Sequence, residues 1–259
     1  MKYTRWLLPV IPVAVFLLAW QMLSRVGVIN TSLFPAPTAI AHQLANLHGG
    51  GTVHSVLWAH IAASLRRVFM SFAIGAAAGI LIGILMGTSK WVSRLLDPLI
   101  TVAMPIPGIA LAPLFIIWFG FGDPTIIAVG TIAAFFPLAY NTAVGVRSID
   151  LQLIRAARIM GLSKASLLYE VYLPWAAAYI LTGVKLGLAR CWRTVIAVEF
   201  IAAANWGLGY MIWDASEYLR TGIVYGGIAL LMAIYLALEK LVIVPVENHT
   251  VKKWGMVKS

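Results

Sequence analysis

The sequence is poor in charged residues and almost free of cysteine. Only 11% of its 259 residues are charged, whereas a soluble domain carries about 25%. A soluble enzyme of this length is therefore close to excluded. The single cysteine, Cys191, excludes a disulfide framework and a metal site built from cysteines. The chain also lacks a G-x-x-x-x-G-K-[ST] motif, which excludes a nucleotide-binding site of the phosphate-loop class.

Apolar residues and positive charge are what the sequence has in excess. Hydrophobic residues make up 61% of the chain, and the mean hydropathy is +0.91. This content excludes a disordered chain and indicates a membrane protein. Nineteen Lys and Arg against nine Asp and Glu give a net charge of +10. In a soluble protein that balance would favour nucleic acid as a partner, but in a membrane protein it indicates basic loops on one side of the bilayer.

Six segments are long and apolar enough to cross a bilayer, which takes about 20 residues in a helix. The sequence therefore predicts an all-α, polytopic membrane protein with six transmembrane helices. The first segment follows two basic residues, but it exceeds a signal-peptide core and no small-residue cleavage site follows it, so we expect a retained helix. The six predicted spans are 6–23, 61–87, 98–118, 124–146, 175–204 and 222–244.

The basic residues orient these spans. Six spans place both termini on one side, and cytoplasmic termini put most of the basic residues on the inner side, as the positive-inside rule requires. We therefore expect a multi-pass membrane protein with both termini cytoplasmic, in contact with lipid and not with nucleic acid. The inner residues are Lys2, Arg5, Lys90, Arg94, Arg147, Arg155, Arg158, Lys164, Lys240, Lys252, Lys253 and Lys258.

The spans divide the chain into four regions. Residues 1–32 hold a cytoplasmic tail and the first span, and 33–60 form a periplasmic segment with a short amphipathic helix that ends at residue 47, before glycines 49–51. Residues 61–244 form the core, and 245–259 a cytoplasmic tail. Histidines recur every six residues in the periplasmic segment. A metal-binding pair on a helix needs a spacing of three or four, so an interfacial role is favoured over a metal site. These histidines are His42, His48, His54 and His60.

The inner segment 147–174 is long, polar and helix-prone. Asp150 can cap a helix that starts at residue 151, and Gly161 can end it in the left-handed conformation. Ser163 can cap a second helix through residue 172, and Pro174 can open the next span. A solvated loop is the simple interpretation. The apolar residues of the segment favour docking into a partner, because a free loop gains nothing by exposing them.

This segment resembles the signature of ABC-importer permeases, which reads E-A-A, three residues, G, nine residues, I-x-L-P. All the spacings match, although Arg155 stands where the family has glutamate and a valine replaces the isoleucine. In that family the segment is the coupling helix that sits in a groove of the ATPase subunit. The resemblance implies that role for Arg155, Ala156, Ala157, Gly161, Leu162, Leu173 and Pro174.

Further motifs are similar to the nitrate, sulfonate, taurine and bicarbonate branch of these permeases, and the resemblance covers residues 33–256. It implies the membrane domain of a type I importer in a bacterial inner membrane, which is not itself an enzyme. It also implies two ATP-binding subunits that hold ATP and magnesium, a second permease copy, and an external substrate-binding protein. The motifs are Pro105-Ile106-Pro107, Pro113-Leu114, Trp118-Phe119-Gly120-Phe121-Gly122-Asp123, Thr182-Gly183-Val184-Lys185-Leu186-Gly187-Leu188, Glu199 and Gly207-Leu208-Gly209-Tyr210.

The fifth predicted span carries charges at membrane depth, where each costs at least about 2.5 kcal/mol on insertion scales. Lys185, Trp192 and Glu199 are spaced by seven and share one helix face, while Arg190 and Arg193 lie on an adjacent face. One hypothesis places these residues on a translocation path, with the two arginines binding an anionic substrate. The alternative is structural, either an ion pair with Glu199 or a guanidinium that caps carbonyls near the third span.

Prolines interrupt the third predicted span at positions 105, 107 and 113. A broken helix is tolerated in a membrane where its backbone lines a cavity or is buried in protein. Pro105 and Pro107 are therefore candidates for the same path, with a kink for packing as the alternative. A stand-alone secondary transporter or channel for a small anion is the competing function. Such folds commonly show internal repeats, and the two halves of this chain do not match convincingly.

Overall fold

The computed structural model describes residues 10–49 and 53–249, and every regular element within these ranges is helical. The ends of the predicted cytoplasmic tails, the first residues of the predicted first span, and residues 50–52 of the outer segment lie outside the described residues. The fold class predicted from composition is confirmed.

The helices are numbered here in chain order. The first half contains α1 (Val10–Arg25), α2 (Pro37–Gly49), α3 (Val53–Thr88), α4 (Lys90–Ala103), α5 (Ala112–Phe119) and α6 (Asp123–Arg147). The second half contains α7 (Leu151–Ile159), α8 (Lys164–Leu167), α9 (Leu173–Ala202), α10 (Leu208–Glu217), α11 (Thr221–Leu238) and α12 (Val244–His249). A 3-10 turn, Gly108–Leu111, precedes α5, and π-helical turns at Leu168–Tyr172 and Glu239–Ile243 precede α9 and α12.

Four helical stretches of the described chain are long and apolar enough to cross a membrane: Val56–Thr88, Asp123–Arg147, Lys164–Ala202 and Thr221–Val246. The pair Lys90–Ala103 and Gly108–Phe119 passes the same test only jointly, and its halves are bent by 98°. The described part of the first span, α1, has 16 residues. The described parts of the six predicted segments are therefore mainly helical, with a break inside the third, and the count of six requires that the bent pair and α1 each be a span.

The third span begins earlier than predicted. We expected it to start at Pro98, but that proline lies inside α4, which starts at Lys90. The Ser89 hydroxyl caps this helix by accepting a hydrogen bond from the Val92 amide at 3.5 Å. The break falls at 104–107, where Pro105 and Pro107 each lack the amide hydrogen that a continuing helix would use.

The core is built by close packing of α3 on α6. Four glycines spaced by four residues follow one face of α3, and a Cβ atom at three of them would lie within 2.7 Å of the Cβ atoms of Ala134, Leu138 and Thr142 on α6. Small residues let helix backbones approach closely where lipid supplies no hydrophobic drive. The glycine-rich face of α3 thus brings its backbone close to α6. The glycines are Gly75, Gly79, Gly83 and Gly87.

Each π-helical turn lies just before a proline near the start of the following helix. The Leu173 amide bonds to the Leu168 carbonyl, and the Val244 amide bonds to the Glu239 carbonyl, five residues back in both cases. Pro174 and Pro245 follow directly, and a proline lacks an amide and clashes with the carbonyl four residues back. A widened turn accommodates the ring, so the predicted second helix of segment 147–174 continues into α9 without a stop.

Candidate functional site

A cavity of about 690 Å³ lies between the broken third span, α6 and α9. Its wall is mostly apolar, with aromatic side chains from α5 and α6 and two arginines from α9. Its lining includes Met104, Pro107, Gly108, Phe115, Trp118, Ala133, Phe136, Arg190, Arg193 and Thr194. Pockets that take small molecules combine an apolar wall with a few convergent polar groups in this way.

The break in the third span forms one side of this cavity. A Cβ atom on Gly108 would lie 2.5 Å from Cγ2 of Thr194, so only glycine lets the broken backbone approach α9 this closely. In a continuous helix the Met104 carbonyl would accept a hydrogen bond from the amide of residue 108. Here Nη2 of Arg190 donates to that carbonyl at 2.8 Å. The guanidinium thus caps a backbone group that the prolines leave free.

The two arginines of the cavity differ in their surroundings. Arg190 is half-buried and bonded to the broken span. Arg193 is exposed, and its Nε donates at 3.0 Å to the Ala189 carbonyl of its own helix. Within the described chain neither arginine forms an ion pair with a carboxylate. A guanidinium has five N–H donors, so both retain donors that can face the cavity.

Glu199 lies away from the cavity, in a buried polar network between α3, α6 and α9. Its side chain has no solvent exposure, and it accepts from Nη1 of Arg67 at 2.8 Å and from the Gly209 amide at 2.9 Å. The Ser64 hydroxyl lies 2.8 Å from the same carboxylate. Nε of Arg67 also donates to Asp123 at 2.7 Å. The partner of Glu199 is thus Arg67, not the arginines of its own helix.

The same network fixes the turn that follows α9. Gly207 has φ +152°, and a Cβ atom there would lie 2.7 Å from Arg67 Nη1 and Glu199 Oε2, so glycine is required. Nδ1 of His60 lies 3.0 Å from the Gly207 amide nitrogen. The Leu208 amide donates to the Ser64 hydroxyl at 2.8 Å. The network therefore holds the Gly207–Tyr210 motif and the start of α10 against α3.

The sequence reasoning missed Ser64, Arg67 and Asp123 as members of this network. The available signal was an arginine inside an apolar span, which needs a partner at that depth. Ser64 and Arg67, three residues apart, share a helix face. Their partner Glu199 lies 132 residues beyond Arg67, and no local rule connects two such distant positions.

The structure brings only some of the predicted path residues together. Pro107, Arg190 and Arg193 line the cavity of 690 Å³. Trp192 is buried against Tyr235, with ring centroids 6.2 Å apart, and lines a separate cavity of about 540 Å³ that also reaches Arg193. The predicted path residues that do not line the cavity of 690 Å³ are Pro105, Lys185, Trp192 and Glu199.

The predicted histidine series does not form one feature. His60 is buried and bonded to Gly207 as described, whereas His42 is exposed. The side chains of His48 and His54 lie outside the described residues. Among the described residues, no group of three or more His, Cys, Asp or Glu is placed to hold a metal ion.

The inner segment has the local structure expected from its caps. Asp150 accepts from the Gln152 amide at 2.8 Å, Gly161 has φ +84°, and the Ser163 hydroxyl accepts from the Ser166 amide at 3.1 Å. Ala157 is buried, while Ala156 is exposed. Four large apolar side chains of the segment are also exposed: Leu151 at 65%, Leu153 at 42%, Ile159 at 87% and Met160 at 79%.

A bundle of apolar helices, a broken span beside a cavity, and a capped inner segment with exposed apolar residues define a membrane transport subunit. The chain matches the model of a family described as the inner membrane component of binding-protein-dependent transport systems, over residues 79–244. The chain therefore belongs to this family of ABC-importer permeases, in the branch whose named members serve nitrate, sulfonates, taurine and bicarbonate.

Three relatives show the extent of the similarity. The taurine transport system permease protein TauC of Escherichia coli K12 is 39% identical over 87% of this chain and 82% of its own length. The putative aliphatic sulfonates transport permease protein SsuC of Bacillus subtilis 168 is 34% identical over 86% and 79%. The nitrate import permease protein NrtB of Synechocystis is 32% identical over 93% and 90%.

Family membership decides whether the chain is an enzyme, a stand-alone transporter or a subunit of an importer. The chain is a multi-pass inner-membrane component that translocates solute and is not itself an enzyme. It is the permease subunit of a binding-protein-dependent importer and works with a substrate-binding protein and an ATPase. A stand-alone secondary transporter is no longer the competing function.

Proposed function

We propose that this permease passes a small anion through the cavity of 690 Å³. The observation that carries the proposal is the pair of arginines, Arg190 and Arg193, that line an otherwise apolar wall without an ion-pair partner in the described chain. A forked guanidinium suits planar and tetrahedral oxoanions. The named relatives transport taurine, aliphatic sulfonates, nitrate or bicarbonate, each of which carries an oxoanion group.

The two arginines have different roles in this proposal. Arg190 already caps the Met104 carbonyl, so it both holds the broken span and presents its remaining donors to the cavity. Among the described residues, the Arg193 side chain forms a hydrogen bond only with a carbonyl of its own helix, so its guanidinium can reorient toward a solute. Arg193 is therefore the main substrate-binding residue, and Arg190 is chiefly a positioning residue. Of the other residues predicted for the path, Pro107 belongs to its wall, whereas Glu199 belongs to the buried polar network between α3, α6 and α9.

Segment 147–174 is the docking site for the ATPase subunit in this proposal. The exposed side chains of Leu153, Ile159 and Met160 supply apolar area that a groove on the partner covers. The left-handed Gly161 allows the sharp turn between α7 and α8. The small, exposed side chain of Ala156 permits close approach of the ATPase subunit, whereas the buried Ala157 lets α7 pack closely on this chain. Leu162, Leu173 and Pro174 connect the docked helix to α9. Movement of the docked helix is then transmitted directly to the arginines.

The assembly we propose contains two ATP-binding subunits, which hold ATP and magnesium, and two copies of this chain. We place the contact with the second copy on α4 and α5, because both helices expose apolar residues on the side away from the core. Leu95, Leu99, Val102 and Ile117 are each more than 60% exposed. Both termini are cytoplasmic in this arrangement, which places segment 147–174 on the side where ATP is available.

Uptake into proteoliposomes tests the assignment of the cavity. The assembled importer is supplied with its binding protein, with taurine, an alkanesulfonate, nitrate and bicarbonate as alternative solutes. We expect Arg193→Gln to lower uptake of the transported solute at least tenfold while the complex assembles and hydrolyses ATP at its basal rate. The matched control is Arg220→Gln, because Arg220 is exposed and lies beside Tyr218, away from the cavity. Normal uptake by Arg193→Gln would contradict the proposed path.

A further inference from the structure

A further cavity, of about 430 Å³ and with a polar lining, lies between α7 and the inner ends of α3 and α6. The proposed translocation path does not use it. Four basic side chains line it, and they come from three different elements: Lys90 of α4, Arg147 of α6, and Arg155 and Arg158 of α7. Its volume lies within the range of about 300–1,000 Å³ typical of small-molecule sites.

Only one of these four cations is neutralised by a carboxylate of the described chain. Nη2 of Arg147 donates to Oδ1 of Asp97 at 2.9 Å. The side chains of Lys90, Arg155 and Arg158 form no hydrogen bond or ion pair with the described residues. Three exposed positive charges therefore line one cavity without a carboxylate partner in the described chain, and the positive potential of such a cleft attracts an anion.

The geometry of α7 separates this cavity from the docking face. Leu151, Ile154, Arg155 and Arg158 are spaced at i, i+3, i+4 and i+7, so they lie on one helix face, and all four line the cavity. Leu153, Ala156 and Met160 lie on the opposite face and are exposed. An ATPase subunit docked on this second face leaves the basic face turned toward the membrane. Its cations are therefore placed for an occupant other than the ATPase.

We propose that this cavity binds a phosphate group, which bridges the coupling helix to the inner ends of the spans. Guanidinium and ammonium groups together suit a tetrahedral oxoanion, with the arginines binding in forked geometry and the lysine as a point charge. The phosphate belongs either to a soluble ion or to the headgroup of an anionic lipid, because basic pockets at the cytoplasmic surface recruit such headgroups. Bound phosphate ties α7 to α4 and so restrains the segment that the ATPase moves.

The test uses the full-length chain, purified with the subunits that accompany it and measured in two ways. Calorimetry with inorganic phosphate follows the soluble ion after lipid removal. Native mass spectrometry from mixed micelles of phosphatidylglycerol and phosphatidylcholine follows the lipid. The variants are Lys90→Gln and Arg158→Gln. Their controls are Arg94→Gln, one turn further along α4, and Lys164→Gln, because both residues are exposed and neither lines the cavity.

We expect each of the two variants to weaken binding about tenfold, the loss of one charge-assisted hydrogen bond, while both controls bind as the unmodified chain does. Phosphate binding with this pattern supports the proposal and identifies a soluble ion. Selective retention of phosphatidylglycerol with this pattern supports it and identifies a headgroup. The proposal is overturned if neither probe binds, if the controls lose as much as the variants, or if the probes bind only when the ATPase subunits are removed. Lys90 lies outside the docking segment, so its variant separates failure of this site from failure of the coupling assignment.

Discussion

Two adjacent arginines of α3 allow a sharp test of the buried network. Both contact Asp123, but the Arg66 side chain is 60% exposed, whereas the Arg67 side chain is 5% exposed and also pairs with the fully buried Glu199. Replacement of each by methionine removes the same charge and keeps a similar apolar stem. We expect Arg67→Met to be severely destabilising and Arg66→Met to be nearly neutral.

The expected magnitudes follow from burial. Removal of one partner of a buried ion pair leaves an uncompensated charge and costs about 3–5 kcal/mol. Arg67→Met also frees the Trp206 carbonyl, to which Nη1 donates at 2.6 Å. The exposed ion pair of Arg66 is worth no more than about 1 kcal/mol. For a chain of this size, about 2–4 °C of melting temperature corresponds to 1 kcal/mol, so the two variants should differ by on the order of ten degrees.

Thermal unfolding in detergent measures this difference, with the fraction of monodisperse protein after heating as the readout. The double variant Arg67→Met/Glu199→Gln removes both charges, and we expect it to recover a large part of the loss because no bare carboxylate stays buried. Equal losses for the Arg66 and Arg67 variants would refute the reasoning. So would a double variant as unstable as Arg67→Met alone.

Two further predictions concern glycines with different roles. Gly161→Pro should abolish transport-coupled stimulation of the ATPase, because φ +84° is closed to proline; wild-type coupling in the assembled complex would contradict the docking assignment. Gly83→Leu should lower the yield of folded protein in the membrane fraction, since a Cβ atom there already lies 2.5 Å from Cβ of Thr142 and overpacking costs at least about 1–3 kcal/mol. The control for the second is Leu81→Ala, because Leu81 is 59% exposed; similar yields of both variants would count against the packing account.

The features that could be predicted from the sequence are those that local chemistry controls. Asp150 and Ser163 cap helices where their side-chain oxygens meet free amides, and Gly161 takes the left-handed conformation that ends α7. The glycines spaced by four on α3 are likewise a local pattern that favours close packing, because they place small residues along one helix face. Each of these inferences needs only a few neighbouring residues.

The orientation of α9 could not be predicted in the same way. The spacing of seven between Lys185, Trp192 and Glu199 correctly indicates one helix face, but it does not say what that face meets. In the structure Glu199 contacts Arg67 of α3, and Trp192 contacts Tyr235 of α11. The face toward the cavity is the adjacent one, with Arg190 and Arg193. Which helices surround α9 depends on packing across more than a hundred residues of sequence.

The charges at membrane depth are distinguished by what compensates them. Arg67 is fully engaged by two carboxylates and a carbonyl, so its charge contributes to a fixed scaffold and is unavailable to a solute. Arg190 is compensated only by one carbonyl, which fixes its position and leaves most of its donors free. Arg193 bonds only to a carbonyl of its own helix. Because an uncompensated charge at this depth is costly, its retention beside a cavity needs a ligand that compensates it. In the proposed path, an anion in transit would provide that compensation at Arg193 and remove it when the solute leaves, which a permanent ion pair would prevent.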